Sequence, residues 1–331
     1  MTQPSSRIRL SAKVGALQSV SIRDAVAILR RGGLVAFPTE TVYGLGADAS
    51  NPAAVARMYH VKGRPAAHPV IVHIGDVGQL DRWAREIPEA ATKLAARFWP
   101  GPLTLVLRRA TGVGDGLTGG EDTIGLRLPN HPVALELLRQ FGGGIAAPSA
   151  NKFGRISPTT AEHVRNDLCG EVDLILDGGP CEIGIESTIV DLSRGRPVLL
   201  RPGRIGTADI AATLGVALQP RDSDAPRAPG TLAAHYAPRQ PLCLIESGQW
   251  ERSVQGASRG RGVLSFRSPP VGDMSTMWIE AFRQPQRYGH DLYANLRALD
   301  SSGCDRILVE EPPATAEWAA MRDRLSRARS G

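Results

Sequence analysis

The 331-residue chain reads as an α/β protein, a twisted mixed sheet with flanking helices followed by a smaller C-terminal Rossmann-like α/β domain. Short apolar runs recur between amphipathic stretches, as when buried strands alternate with helices. Between residues 172 and 200 strand patterns follow one another directly, so the first sheet is mixed rather than purely parallel. Residues 218–238 are rich in breakers and lack periodicity, which separates a domain of residues 1–217 from one of 239–331.

Taken in order, Ser21 with Asp24 opens a helix whose apolar positions are Ile22, Ala25, Val26 and Leu29, and Gly32 with Gly33 ends it. Leu34 to Phe37 is a strand. Asn51 and Pro52 start a second helix running to about His60, where proline's missing N–H costs nothing. Val70 to Ile74 reads as a strand. Helical patterns cover about Val77 to Glu86 and Glu89 to Phe98, stopped by Pro100 and Pro102. Strands are expected at Leu103 to Leu107 and Ile124 to Leu128, then a helix at about Pro132 to Phe141 and a strand at Ile145 to Ala147. A helix from Thr159, with Glu162 completing a capping box, precedes strands at Val172 to Leu176, Thr188 to Leu192 and Val198 to Leu200. Beyond the linker, Pro241 to Ile245, Gly262 to Phe266 and Arg306 to Val309 are strands with helical patterns between and after them.

Hydrophobic content of 42% and charged content of 22% allow a sizeable core. The four cysteines are widely spread with no C-x-x-C pair, which argues against a zinc site or disulfide framework and fits a reducing cytoplasm. No apolar stretch approaches a membrane span and residues 1–21 hold no hydrophobic signal region, so a soluble cytoplasmic protein with no membrane partner is expected. The net charge of +6 raises a second reading, a non-catalytic RNA-binding protein with a basic concave sheet. The charge is mostly scattered arginine, however, and the densest run, Arg322 to Arg329, has the pattern of a solvated helix face.

The chemistry concentrates at strand ends. Phe37-Pro-Thr-Glu-Thr-Val-Tyr-Gly-Leu-Gly46 and Ala147-Pro-Ser-Ala-Asn151 each follow an apolar run and present hydroxyls and glycines where ligands of α/β proteins bind. Lys62-Gly-Arg-Pro65 places two cations in a loop outside the core, either an exposed pair or an anion site. Arg127 lies inside an apolar strand pattern and needs an anion, which is a substrate carboxylate or a structural Asp or Glu. Ser157, before Pro158, is an N-cap or a ligand contact. Gly114-Asp-Gly-Leu-Thr-Gly119 lies between strand patterns and opens no predicted helix, so it reads as a flexible loop rather than a dinucleotide fingerprint; a P-loop pattern is absent.

These segments, with His68-Pro-Val-Ile-Val-His73, Trp99-Pro-Gly-Pro-Leu-Thr104, Arg127-Leu-Pro129, Ser157-Pro-Thr159, Glu186-Ser-Thr188 and Leu200-Arg-Pro-Gly203, resemble in order the YrdC-like threonylcarbamoyl-AMP synthases. Ala228-Pro-Gly230 and His235-Tyr-Ala-Pro238 are similar to the linker of their long, two-domain form. The resemblance implies a nucleotidyltransferase that joins L-threonine, bicarbonate and ATP, with Mg2+, and releases pyrophosphate. Its product passes to a separate tRNA threonylcarbamoyltransferase, and RNA binding is not expected for this step. It further implies a threonine site of Thr39, His73, Arg127, the backbone at Ala147, and Ser187. The implied ATP site is Lys62, Arg64, His68, Thr123, Ser149, Asn151, Ser157, Arg201 and Tyr236, with Lys62 and Arg64 as catalytic cations and no metal-ligating side chain. The linker 218–238 is implied as a lid. The chain departs from the family at His68, where Asn is usual, and at Thr231 to Ala234, which lacks the family's basic residues.

Overall fold

The computed structural model describes residues 22–231, 235–254 and 259–329. Nine strands build the larger sheet: β1 (Val35–Phe37), β2 (Gly44–Asp48), β3 (Ile71–His73), β4 (Leu103–Arg108), β5 (Thr123–Arg127), β6 (Ile145–Ala146), β7 (Leu174–Ile175), β8 (Thr188–Asp191) and β9 (Val198–Arg201). Their order is β7-β1-β2-β6-β3-β5-β4-β8-β9. β3 and β5 run parallel, with His73 in register with Arg127, whereas β6 is antiparallel to both β2 and β3. The sheet is mixed, as expected. Strands β10 (Leu242–Ile245), β11 (Arg261–Ser265), β12 (Met277–Glu280) and β13 (Arg306–Glu310) form a separate, all-parallel sheet in the order β10-β13-β11-β12.

The helix Pro52–Lys62 shows how local chemistry sets an element. The Asn51 side chain accepts hydrogen bonds from the Ala53 and Ala54 N–H groups, and Pro52 occupies the first turn. Gly63 ends the helix at φ 64°, a left-handed conformation that suits glycine. Lys62 is therefore the last helical residue rather than part of an open loop, and it is only 3% exposed. The expectation of two cations outside the core is corrected: the tertiary fold closes over them.

Other departures have equally local causes. β2 escapes an alternating pattern because Gly44 and Gly46 leave much of one face of the strand without side chains; a Cβ at Gly46 would lie 2.9 Å from both Ile145 and Phe37. The Gly114–Gly119 segment contains a one-turn helix, Asp115–Thr118, where a loop was expected. The later helix is capped by Thr160, whose side chain accepts from the His163 N–H, and not from Thr159. The helix Thr207–Leu214 and strand β12 fall in stretches given no such assignment. The cap at Ser21 and the linker residues 232–234 lie outside the described residues.

The two units share apolar packing. Leu292, Leu296, Leu325 and Ile307 of the smaller unit cluster with Val42, Ile156 and Ile185 of the larger one. The segment between the units is no free tether: Ala228 is buried against Ile71, Val106, Ile189 and Leu200, and Arg227 donates to the Ala67 and Gly119 carbonyls. Among the described residues no helix is long and apolar enough to cross a membrane.

Candidate active site

The ends of β1, β3, β5, β6 and β8 converge on a cavity that Pro229, Gly230, His235 and Tyr236 cover. Its walls include Thr39, Lys62, Arg64, His73, Arg127, Ala147, Ser149, Asn151, Ser187, Arg201 and Tyr236. Lys62, Arg64, Arg127 and Arg201 are its cations, against one lining carboxylate, Glu186. Such a balance favours an anionic ligand.

One end is built around Arg127, 4% exposed. Its Nη2 lies 2.8 Å from Glu40 Oε1, and its Nε donates to the Gly101 carbonyl. The Glu40 contact is an ion pair without directed hydrogen bonds: Nη2 and both Glu40 oxygens are buried with none. The structural carboxylate foreseen as an alternative is thus present, yet hydrogen-bonding capacity remains for a ligand. His73, beside Arg127 in the sheet, is held neutral, its pKa lowered to about 3 by burial and then by the Arg127 charge. Its Nδ1 is buried without a partner. The Thr39 hydroxyl donates to the Val42 carbonyl at 2.7 Å and organises the turn after β1. Ser187 lies 2.8 Å from the Thr104 hydroxyl.

The other end gathers the cations. Lys62 Nζ donates to the carbonyls of Ser149 at 2.5 Å and Asn151 at 2.6 Å, tying the helix end to the strand-end turn. Burial, and then the Arg64 charge, pull its ammonium well below the usual lysine range. Arg64 donates to the Pro69 carbonyl at 2.5 Å and leaves its Nε buried without a partner. Arg201 grips the Ser187 carbonyl through Nε and Nη2 and reaches the Pro229 carbonyl through Nη1. Tyr236, 1% exposed, places an unpartnered hydroxyl in the covering segment.

Three of the residues expected in the nucleotide site are not among those lining the cavity. His68 is half-buried and packs on Phe153 at 5.7 Å. Thr123 starts β5 opposite Arg108. Ser157 is fully buried and donates to Glu186 Oε1 at 2.6 Å, behind the wall. Sequence reasoning missed Glu186 itself, whose carboxyl sits at about 2; burial opposes this, and Arg324 and then Arg201 hold it down. It also missed Arg324, Tyr293 and Phe153; for Glu186 the signal was its place at the head of the Glu186-Ser-Thr188 motif, beside Ser187. Arg324 overturns the solvated-face reading of 322–329, since it is 1% exposed.

Fold and site together define a class: an α/β enzyme with one covered, cation-lined cavity suited to an anionic ligand. The family described as "Telomere recombination" matches residues 27–203, and that described as "Threonylcarbamoyl-AMP synthase, C-terminal domain" matches residues 205–330. The chain is 42% identical to the threonylcarbamoyl-AMP synthase of Bacillus subtilis, over 94% of this chain and 93% of that one. It is 40% identical to that of Pyrococcus abyssi, over 94% and 95%. The crystal structure of Pyrococcus abyssi Sua5 complexed with L-threonine is similar to it with a TM-score of 0.85 at 39% identity, covering 93% of this chain and 94% of that one. The chain belongs to the threonylcarbamoyl-AMP synthase family.

Proposed function

We propose that the chain makes L-threonylcarbamoyl-AMP and pyrophosphate from L-threonine, bicarbonate and ATP. The observation that carries this is one covered cavity whose lining includes Arg127 beside His73 and, apart from them, the cations Lys62, Arg64 and Arg201. In this reading Arg127 takes the threonine carboxylate in its guanidinium fork. Neutral His73, Thr39, Ser187 and the Ala147 backbone fix the remaining polar groups of the amino acid. The threonine amine attacks carbon dioxide formed from bicarbonate, giving a carbamate, and the amine proton leaves with the bicarbonate hydroxide as water. A carbamate oxygen then attacks the α-phosphorus of ATP, the bond to the bridging oxygen breaks, and pyrophosphate leaves. No enzyme nucleophile takes part, so the protein's work is orientation and charge neutralisation.

Lys62, Arg64 and Arg201 neutralise the phosphates, Ser149 and Asn151 place them, and Tyr236 with its segment excludes water from the mixed anhydride. Among the described residues no group of three or more His, Cys, Asp or Glu is set to hold a metal. A magnesium ion arriving with ATP would add charge neutralisation beside Lys62, Arg64 and Arg201. The product serves a separate tRNA threonylcarbamoyltransferase in the cytoplasm.

The test is ATP consumption by the purified chain with threonine and bicarbonate supplied together and singly, with the product identified by mass spectrometry. Consumption requiring both, with threonylcarbamoyl-AMP formed, is the expected outcome. Turnover indifferent to threonine overturns the reading, and RNA binding without turnover favours the basic-sheet alternative.

A further inference from the structure

Glu186 is one point at which the smaller unit touches the wall of the active site. Its Oε1 accepts from Ser157 of the larger unit at 2.6 Å. Its Oε2 accepts from Tyr293 Oη at 2.8 Å and from Arg324 Nε at 2.7 Å, both in the smaller unit. Arg324 also donates through Nη2 to the carbonyl of Pro202, next to Arg201, at 3.0 Å, and its guanidinium carbon lies 5.3 Å from the centre of the Tyr236 ring. Tyr236 has φ 64°, a left-handed conformation that a tyrosine keeps only when its surroundings impose it. Those surroundings are Arg324, Tyr293 stacked at 5.8 Å and His235 at 4.2 Å.

A buried ion pair is a poor way to gain stability, because desolvation offsets most of its attraction. An apolar residue at position 324 would serve the docking of the two units as well. What the guanidinium adds is geometry, since one planar group reaches Glu186, the end of β9 and the covering tyrosine at once.

We propose that Arg324, assisted by Tyr293, is a positioning residue for the synthase reaction: from the smaller unit it fixes Glu186 and Tyr236, and through them Arg201 and the cover over the nucleotide. The inference deepens the proposed function and rests on it. Without Arg324, the Glu186 carboxylate is left facing Arg201 and competes with phosphate for that cation, while Tyr236 loses the face it packs on.

The experiment compares wild type, Arg324→Met, Arg324→Lys and Tyr293→Phe, all full length. It reads the dissociation constant of a non-hydrolysable ATP analogue by calorimetry and the KM for ATP, well below each melting temperature. Arg324→Met is expected to weaken the analogue about tenfold and to raise the KM for ATP more than the KM for threonine. Arg324→Lys, which keeps a charge but not the reach to Pro202, is expected to fall between. Adding Glu186→Gln to Arg324→Met removes the stranded charge and is expected to recover analogue affinity at least threefold. Should Arg324→Met fail to fold, Tyr293→Phe carries the test with an expected weakening of about threefold. Analogue affinity within twofold of wild type in Arg324→Met, or in Tyr293→Phe if that is the variant that folds, overturns the inference. A wild type that binds the analogue but makes no product sinks the synthase reading instead and leaves the variant comparison legible.

Discussion

At the scale of single residues, Lys62 shows how a cation proposed to act in catalysis can also be a strut. Its ammonium ties together the carbonyls of Ser149 and Asn151, so removing it unpairs two acceptors on the turn that follows β6. Lys62→Met keeps the length and loses the donors. We expect kcat/KM to fall at least a hundredfold, equivalent to about 3 kcal/mol of transition-state stabilisation. We also expect about 2 kcal/mol of stability to be lost as buried carbonyls go unsatisfied. Steady-state kinetics and urea unfolding read the two effects separately. Full turnover with reduced stability would leave Lys62 as a strut alone. Arg127 shows the same doubling, being ion-paired to Glu40 while its Nη2 still lacks a hydrogen bond.

At the scale of elements, the covering segment depends on one close approach. Gly230 has φ 71°, and a Cβ there would lie 2.1 Å from Tyr236 Oη and 2.9 Å from Arg201 Nη1. Gly230→Ala therefore strains the backbone and pushes a fully buried ring out of its place. The expected result is a KM for ATP raised about fivefold or more, equivalent to about 1 kcal/mol of lost complementarity. An unchanged KM for ATP in Gly230→Ala would show that the cover does not touch the nucleotide. The helix Pro52–Lys62 is the contrasting element, because its caps at Asn51 and Gly63 set its ends locally.

For the whole molecule, the buried histidines tie stability to pH. His73 and His235 both have pKa values lowered to about 3, chiefly by burial. In the unfolded chain they titrate near 6.5. Below that pH the unfolded chain takes up protons that the folded one refuses, so stability is full above 6.5 and declines as pH falls toward 3. The slope is up to about 1.4 kcal/mol per pH unit for each histidine. Glu186 acts in the same direction in a lower window: its carboxyl is lowered from 4.5 to about 2, so its contribution is present above 4.5 and is lost on further acidification. Urea unfolding at pH 7.5, 6.0 and 5.0 should show a midpoint that drops steadily below pH 6.5. A midpoint constant from 7.5 to 5.0 would mean that these histidines are solvated in the native state.

The sequence alone determined what local chemistry can signal. The alternation of strands and helices, the Asn51 and Pro52 helix start, the helix Pro132–Phe141 and the hydroxyl- and cation-bearing motifs at strand ends all follow from periodicity, capping and turn chemistry. Tertiary structure decided the rest. β2 has no readable pattern because its glycines exist to let Phe37, Ile145 and Ala147 come close. Lys62 looked exposed because its burial depends on carbonyls contributed by a turn distant in the chain. Arg324 sat in a run of arginines with the pattern of a solvated face, and besides its neighbour Asp323 it pairs with the buried Glu186, 138 residues away. Hydrogen bonds along a helix are written in neighbouring residues. A buried charge is defined by whatever the fold brings against it, and no short stretch of sequence records that.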